Sequence, residues 1–315
     1  MDIRSLPVGQ GLAWFKQAID LGGKNPRAVF GAALLLIVAL YAAALLVALG
    51  LAMLVMGGQA VGAEDGPNLA VALWVAVPLM LLVMLLVPIL LGGLMHVIRE
   101  VEAGRPARAR DVFAALRSAN GRRLALLGLV QVALAVIGGA LLMGIAGADY
   151  WRDYMAAMQG AMQGGTPPQV PQAQNAGVLF LVQLAFNYFS YAMMLFAIPL
   201  MLFSGSDILP ALRDSLRAAV RNVGANLLAG LLFVGALLVS SLVVLLVGGL
   251  ASMIGGLIHQ ALGGLLLMVV MLGFASVVLV LVAGGAYLAW RDTFGDGAPP
   301  PPPLPDASGS HGIEV

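Results

Sequence analysis

Six stretches of this chain carry no charged side chain and are long enough to cross a lipid bilayer. They are Ala28–Met56, Leu69–Ile98, Leu124–Ala146, Gly177–Phe203, Val223–Leu250 and Gly264–Leu288. A helix rises about 1.5 Å per residue, so about 20 apolar residues span the hydrocarbon core. Hydrophobic residues make up 61% of the 315 and charged residues only 10%. A soluble domain carries about 25% charged residues, so lipid is the expected solvent. Backbone groups in lipid find no water and must bond within their own segment. The expected fold is therefore all-α: a polytopic transmembrane bundle of six spans. The boundary between the last two is the least marked, because no charge occurs from Asn222 to Trp290. The Gly pairs 248/249, 255/256 and 263/264 are its only breaks, which places a short turn at Ser252–Leu262.

The charges then give orientation. Of sixteen Lys and Arg, fifteen fall on one side of these spans. Four precede the first span, seven lie between the second and third, three between the fourth and fifth, and Arg291 follows the sixth. The other side has Arg152 alone, with Glu64, Asp65, Asp149 and Asp153. Basic residues in short loops resist translocation, so the rich side is expected to be cytoplasmic, with both termini there. About 27 residues precede the first run, which is about twice a signal-peptide core, so that helix is expected to be a retained anchor. The fourteen Arg against two Lys, with abundant Ala, Gly and Leu, fit a GC-rich bacterial coding sequence and an inner-membrane location.

The basic segments also divide the chain into three hairpins, each preceded by a collar of helical period. The collars run from Leu12, Asp111 and Leu209 and end near Asn25, Asn120 and Asn222, which are 95 and 102 residues apart. The second and sixth spans end alike, in Gly92-Gly93…Arg99-Glu100 and Gly284-Gly285…Arg291-Asp292. Threefold repetition is the expectation, over about 12–98, 105–203 and 209–290, although the fourth span lacks the Gly-Gly ending. In the third collar Leu209, Leu212, Leu216 and Val220 share one face, and Arg213, Arg217 and Arg221 form a second row. Such a helix can lie in the membrane interface with guanidinium groups among anionic headgroups. The plainer alternative is that the Arg residues only set topology and the helix only packs under the bundle. Arg122 and Arg123 belong to the same candidate headgroup- or partner-binding surface.

Reactive chemistry has little to work with. There is no Cys, and His96, His259 and His311 lie in three different segments, so neither a metal nor a cofactor is expected. No Asp, Glu, Lys or Arg falls within the expected spans, whereas ion-coupled transporters place ionisable groups near the midplane. The strongest intramembrane polar feature is Gln183, Asn187 and Tyr191 at i, i+4, i+8, with Tyr188 and Ser190 beside it. It reads either as interhelical hydrogen bonding or as the lining for a small or lipid-like ligand. Pro78, Pro88 and Pro199 are expected to kink their helices. Asp149–Met162, with Tyr150, Trp151 and Tyr154 on an apolar stripe, should lie on the outer face of the membrane. The Pro-rich tail from Gly295 onward should be disordered. The net charge of +1 gives no sign of nucleic-acid binding.

Arg4-Ser-Leu-Pro7-Val-Gly-Gln-Gly11-Leu-Ala-Trp14-Phe, then Lys24-Asn25-Pro26, resembles the opening of a family of uncharacterised proteobacterial multipass membrane proteins. Tyr287-Leu-Ala-Trp-Arg291-Asp292-Thr-Phe294 resembles the final-helix ending of that group. The layout is more distantly similar to the membrane domain attached to some glycerophosphodiester phosphodiesterases, without their catalytic domain. The resemblance implies location and architecture, and no activity. The expectation is a non-enzymatic inner-membrane protein. It would organise or bind lipids or partner proteins, or copies of itself, through its Arg-rich segments. The alternative is a permease or channel for a small neutral or lipidic solute.

Overall fold

Every apolar run folds as a helix, as a water-free medium requires. The computed structural model describes residues 2–60, 69–117, 119–162 and 173–295. In chain order the helices are α1 (Gln10–Lys24), α2 (Pro26–Ala60), α3 (Leu69–Glu102), α4 (Ala114–Arg117), α5 (Ala119–Ala146), α6 (Ala148–Met162), α7 (Ala176–Phe203), α8 (Ile208–Arg221), α9 (Val223–Ile258) and α10 (Gln260–Phe294). A 3-10 turn, Ala109–Phe113, precedes α4. The described residues contain no strand. Six helices, α2, α3, α5, α7, α9 and α10, are long and apolar enough to cross a membrane. The fold is an all-α helical bundle. Helix α3 continues through Pro78 and Pro88, and α7 through Pro199. The segment expected on the outer face is helical, as α6. The Pro-rich tail beyond Gly295, most of the linker from Thr166, Glu64, Asp65 and the side chains of Met158 and Met162 lie outside the described residues.

The last turn is tighter than Ser252–Leu262. Helix α9 ends at Ile258 and α10 begins at Gln260, with His259 alone between them. The His259 Nδ1 accepts a hydrogen bond from the Ala261 amide at 3.1 Å and caps α10. The glycines that mark a break in sequence are where the two backbones touch. A Cβ on Gly255 would sit 2.8 Å from the Gly263 nitrogen, and one on Gly263 2.5 Å from the Ser252 carbonyl. Small residues let membrane helices approach this closely, so both helices run to the apex.

Packing follows one rule at the basic end, where α3, α7 and α10 finish and α2, α5 and α9 begin. Helix α1 lies on α9 and α10, the 3-10 turn on α2 and α3, α4 equally on α3 and α5, and α8 on α7 with narrower contacts to α5 and α9. The second and third collars thus rest mainly on the hairpin before them, and the first lies on the last hairpin. The closing helices α3, α7 and α10 touch one another at the centre. Helix α2 fits between α3 and α10, and α5 between α3 and α7. The second collar departs from the expected continuous helix: it bends as a 3-10 turn and a four-residue helix. The bend seats the Val112 carbonyl directly against Gly93, where any Cβ would overlap it. Gly93 must be glycine for this collar to dock.

The core lies at the same end. Trp14, Leu90, Leu94, Met95, Ile98, Leu124, Met201, Tyr287 and Leu288 are all fully buried there. Toward the opposite end apolar side chains are left outside, among them Leu238, Leu246 and Leu257 on α9. Lipid solvates these as well as a neighbouring helix would, so burial is needed only where polar groups and collars meet.

The segment before α1 straps this end. The Arg4 amide donates to the Thr293 carbonyl at 3.0 Å. The Leu6 amide donates to Asn222 Oδ1 at 2.8 Å, and Asn222 Nδ2 donates to the Arg4 carbonyl at 3.0 Å. Asn25, the first of the spaced asparagines, does different work from Asn222: its Oδ1 accepts from the Ala28 amide at 3.3 Å and starts α2. Asn222→Ala removes both side-chain bonds to the strap. It should free that segment at a local cost of about 1–3 kcal/mol. Hydrogen exchange of the Leu6 amide in the full-length protein reads this directly, and unchanged protection would rule the strap out.

Candidate functional site

Helix α8 has three arcs. Its buried arc is made of small residues, Ala211, Ser215, Ala218 and Ala219. Beside it lie Leu209, Leu216 and Val220, all exposed, with Leu212 half-buried at the edge of the core. Next come Arg213, Arg217 and Arg221, exposed and without an ion-pair partner among the described residues. The helix thus docks mainly through alanine and serine, with Ile208 and Leu212 at the edge of the core, and Leu209, Leu216 and Val220 are left free. One predicted member differs: Leu212 turns toward the bundle because it borders the small-residue arc.

Arg123 and Arg122 part company at the start of α5. Arg123 lies 3.5 Å from the Asp207 carboxylate, at the residue that precedes α8, and reaches the Gly205 carbonyl at 3.5 Å. It joins the α8 surface. Arg122 is exposed and has no partner among the described residues. Across the bundle, the lone Arg152 on α6 is matched by carboxylates, Asp149 at 2.7 Å and Asp153 at 3.9 Å. Tyr150, Trp151 and Tyr154 stack along the same helix.

The polar stripe on α7 is not a continuous lining. Gln183 Nε2 donates to Asn187 Oδ1 at 3.3 Å, so these two are joined to each other within the helix. Tyr191 is 66% exposed on the outside of the helix. Tyr188, off the main stripe, does the joining. Its hydroxyl donates to the Ala219 carbonyl at 2.9 Å and accepts from Asn226 Nδ2 at 3.4 Å, tying α7, α8 and α9 together. Asn226 had no marker in the sequence beyond being a polar residue in an apolar helix.

Sequence reasoning missed a buried ionic cluster where α1, α3 and α10 meet. Glu102 accepts hydrogen bonds from Arg291 Nη1 and from the Tyr287 hydroxyl, the latter at 2.6 Å. Arg291 also donates to Asp292 at 2.9 Å and to Gln17 at 3.1 Å. Asp292 in turn accepts from Trp14 Nε1 at 2.9 Å and from Gln10 Nε2 at 2.7 Å. The Arg99 guanidinium lies 4.7 Å above the Phe203 ring, which Tyr287 and Trp290 flank at 5.9 and 5.1 Å. The three closing helices therefore end on one another, although α7 has Phe203 where the others have Arg. Just outside, Glu100 bonds Arg105 at 2.5 and 2.7 Å and raises its guanidinium above the ordinary arginine range. It stays charged. The only signal for this cluster was the shared Gly-Gly…Arg-acid ending, which reads equally well as a topological charge.

Both oxygens of Glu102 and of Asp292 accept from donors within this cluster, which locks α1, α3 and α10 together. Trp290 Nε1, Thr293 Oγ1 and Ser215 Oγ are buried without a partner among the described residues. No group of three His, Cys, Asp or Glu is placed to hold a metal ion among those residues. No protein-family model, no curated protein and no solved structure matches the chain.

Proposed function

We propose that this is a non-enzymatic multispan protein of a bacterial inner membrane, with both termini in the cytoplasm, which binds anionic lipid surfaces through its Arg-rich collars. The observation that carries this reading is the exposed apolar row of α8. A helix serving only as packing would spend its leucines on the bundle. Here the buried arc is alanine and serine, with Ile208 and Leu212 at its edge, and Leu209, Leu216 and Val220 remain free beside three arginines without an ion-pair partner among the described residues. That is the pattern of a helix lying in the interface, with leucines toward acyl chains and guanidinium groups at phosphate level. Each such arginine contributes about 1 kcal/mol near an anionic surface. The orientation rests on the charge bias, and the carboxylates matched to Arg152 support it by leaving the far end without a free cation among the described residues. The permease reading has weaker support, since Gln183 and Asn187 bond each other and Tyr191 stands outside.

The chain has no cysteine, so Leu216→Cys gives a single labelling site for an environment-sensitive fluorophore. In vesicles containing phosphatidylglycerol the probe should be quenched by brominated acyl chains. Replacing Arg213, Arg217 and Arg221 together by Gln should weaken that quenching, as should high salt. A probe quenched only by aqueous iodide, in anionic and neutral vesicles alike, would refute the assignment.

A further inference from the structure

We propose that the groove between α2 and α10 holds one acyl chain of an anionic phospholipid, with its headgroup phosphate bound by Arg27. The groove has a volume of about 690 Å³ and is lined by Arg27, Phe30, Leu34, Leu272, Gly273 and Val277, among others. From Arg27 to Leu34 it runs about 10 Å along α2, enough for the upper part of an acyl chain. Its walls are apolar. Ser276 lines it too, but its hydroxyl donates to the Leu272 carbonyl at 2.8 Å within the helix, so it offers a ligand no free donor. A polar solute would find only the acceptor side of the Ser276 hydroxyl along this wall, whereas a methylene chain loses nothing.

The charge is at the correct end. Helix α2 starts at Pro26, so Arg27 stands where a span of this length meets the headgroup layer. Arg27 is exposed and makes no ion pair among the described residues, and the exposed Lys24 precedes it by three positions. A guanidinium binds a phosphate by paired, charge-assisted hydrogen bonds. Apolar wall below and unpaired cation above match one amphiphile of opposite charge. A partner helix would meet an unpaired arginine at the rim with nothing to neutralise it. The proposal rests on the membrane placement of the six helices, and not on the assignment of α8.

Gly273 supplies the test. A Cβ there meets nothing within 4 Å, so a side chain can be placed at this lining position without strain at its root. The full-length protein, purified in mild detergent and exchanged into phosphatidylglycerol or phosphatidylcholine nanodiscs, is examined by native mass spectrometry. Wild type should retain one phosphatidylglycerol. Gly273→Phe should lose it while keeping its helical spectrum. Arg27→Gln should retain a lipid but lose the preference for phosphatidylglycerol over phosphatidylcholine. The Arg213/Arg217/Arg221→Gln variant should keep the groove lipid, which separates failure here from failure of the α8 assignment. The proposal is overturned if wild type carries detergent only, or if Gly273→Phe binds as much lipid as wild type. It is equally overturned if wild type is a dimer that Gly273→Phe splits, since the occupant is then a second copy. Should Gly273→Phe not fold, an undiminished preference in Arg27→Gln, altered at an exposed position, is sufficient to overturn it.

Discussion

Glu102→Ala is expected to destabilise the protein by about 3–5 kcal/mol, because it breaks a buried ion pair and leaves Arg291 with one of its two carboxylates. The side chains of Glu102 and Arg291 are only 5% and 12% exposed. Removing the carboxylate leaves Arg291 with Asp292 and Gln17, and also deprives the Tyr287 hydroxyl of its acceptor. Three elements lose their junction together, since these residues come from α3, α10 and α1. Unfolding of the purified full-length chain in a denaturing-detergent titration measures the effect. The triple variant Glu102→Met, Arg291→Leu and Asp292→Asn separates lock from charge, because Asp292 also pairs with Arg291 and would otherwise be left as a buried charge. A buried ionic group replaced as a whole by uncharged groups of similar volume is often neutral or stabilising, so this triple variant should recover most of the loss. If Glu102→Ala unfolds within about 0.5 kcal/mol of wild type, as ordinary surface substitutions do, the cluster is not a lock.

Trp14→Ala should cost a similar amount, about 3–5 kcal/mol, for a different reason. Trp14 is 1% exposed, and its truncation leaves a cavity beneath α10. It also removes one of three donors to Asp292, the others being Gln10 and Arg291. Trp14→Phe keeps most of the volume but loses the indole N–H. It should cost about 1–3 kcal/mol, the range for a buried acceptor left short of a partner. The ordering of these two variants in the same titration is the check. Equal losses would mean that the hydrogen bond dominates and the packing contributes little.

Much of the architecture was legible. Charge-free runs of span length follow from hydropathy alone, and so does the gathering of Arg and Lys at one end. What could not be read was which face of an amphipathic segment is covered. In α8 the periodicity correctly puts Leu209, Leu216 and Val220 together, but a leucine row looks the same whether a helix or a lipid lies against it. The docking face was the alanine and serine arc, which has no hydrophobic signature because its value lies in being small. The same ambiguity misled the reading of the last turn. Gly255 and Gly263 look like helix breakers, but opposite one another they are the contact that lets two helices run to a one-residue apex.

The buried cluster shows the limit from the other side. Arg291 and Asp292 sit at the end of an apolar run, and that position alone marks them as interfacial charges. Only the approach of Glu102 from α3 and of Trp14, Gln10 and Gln17 from α1 turns them into a desolvated network. By itself the sequence determined the solvent, the helical class, the six spans and the concentration of cations at one end, because each depends on local composition and on the length needed to cross lipid. The tertiary structure alone decided that the second and third collars rest mainly on the preceding hairpin and the first on the last, that Glu102 meets Arg291, and that Leu209, Leu216 and Val220 of α8 remain free. These depend on which distant surfaces meet, and a helix repeat specifies a face without specifying what covers it.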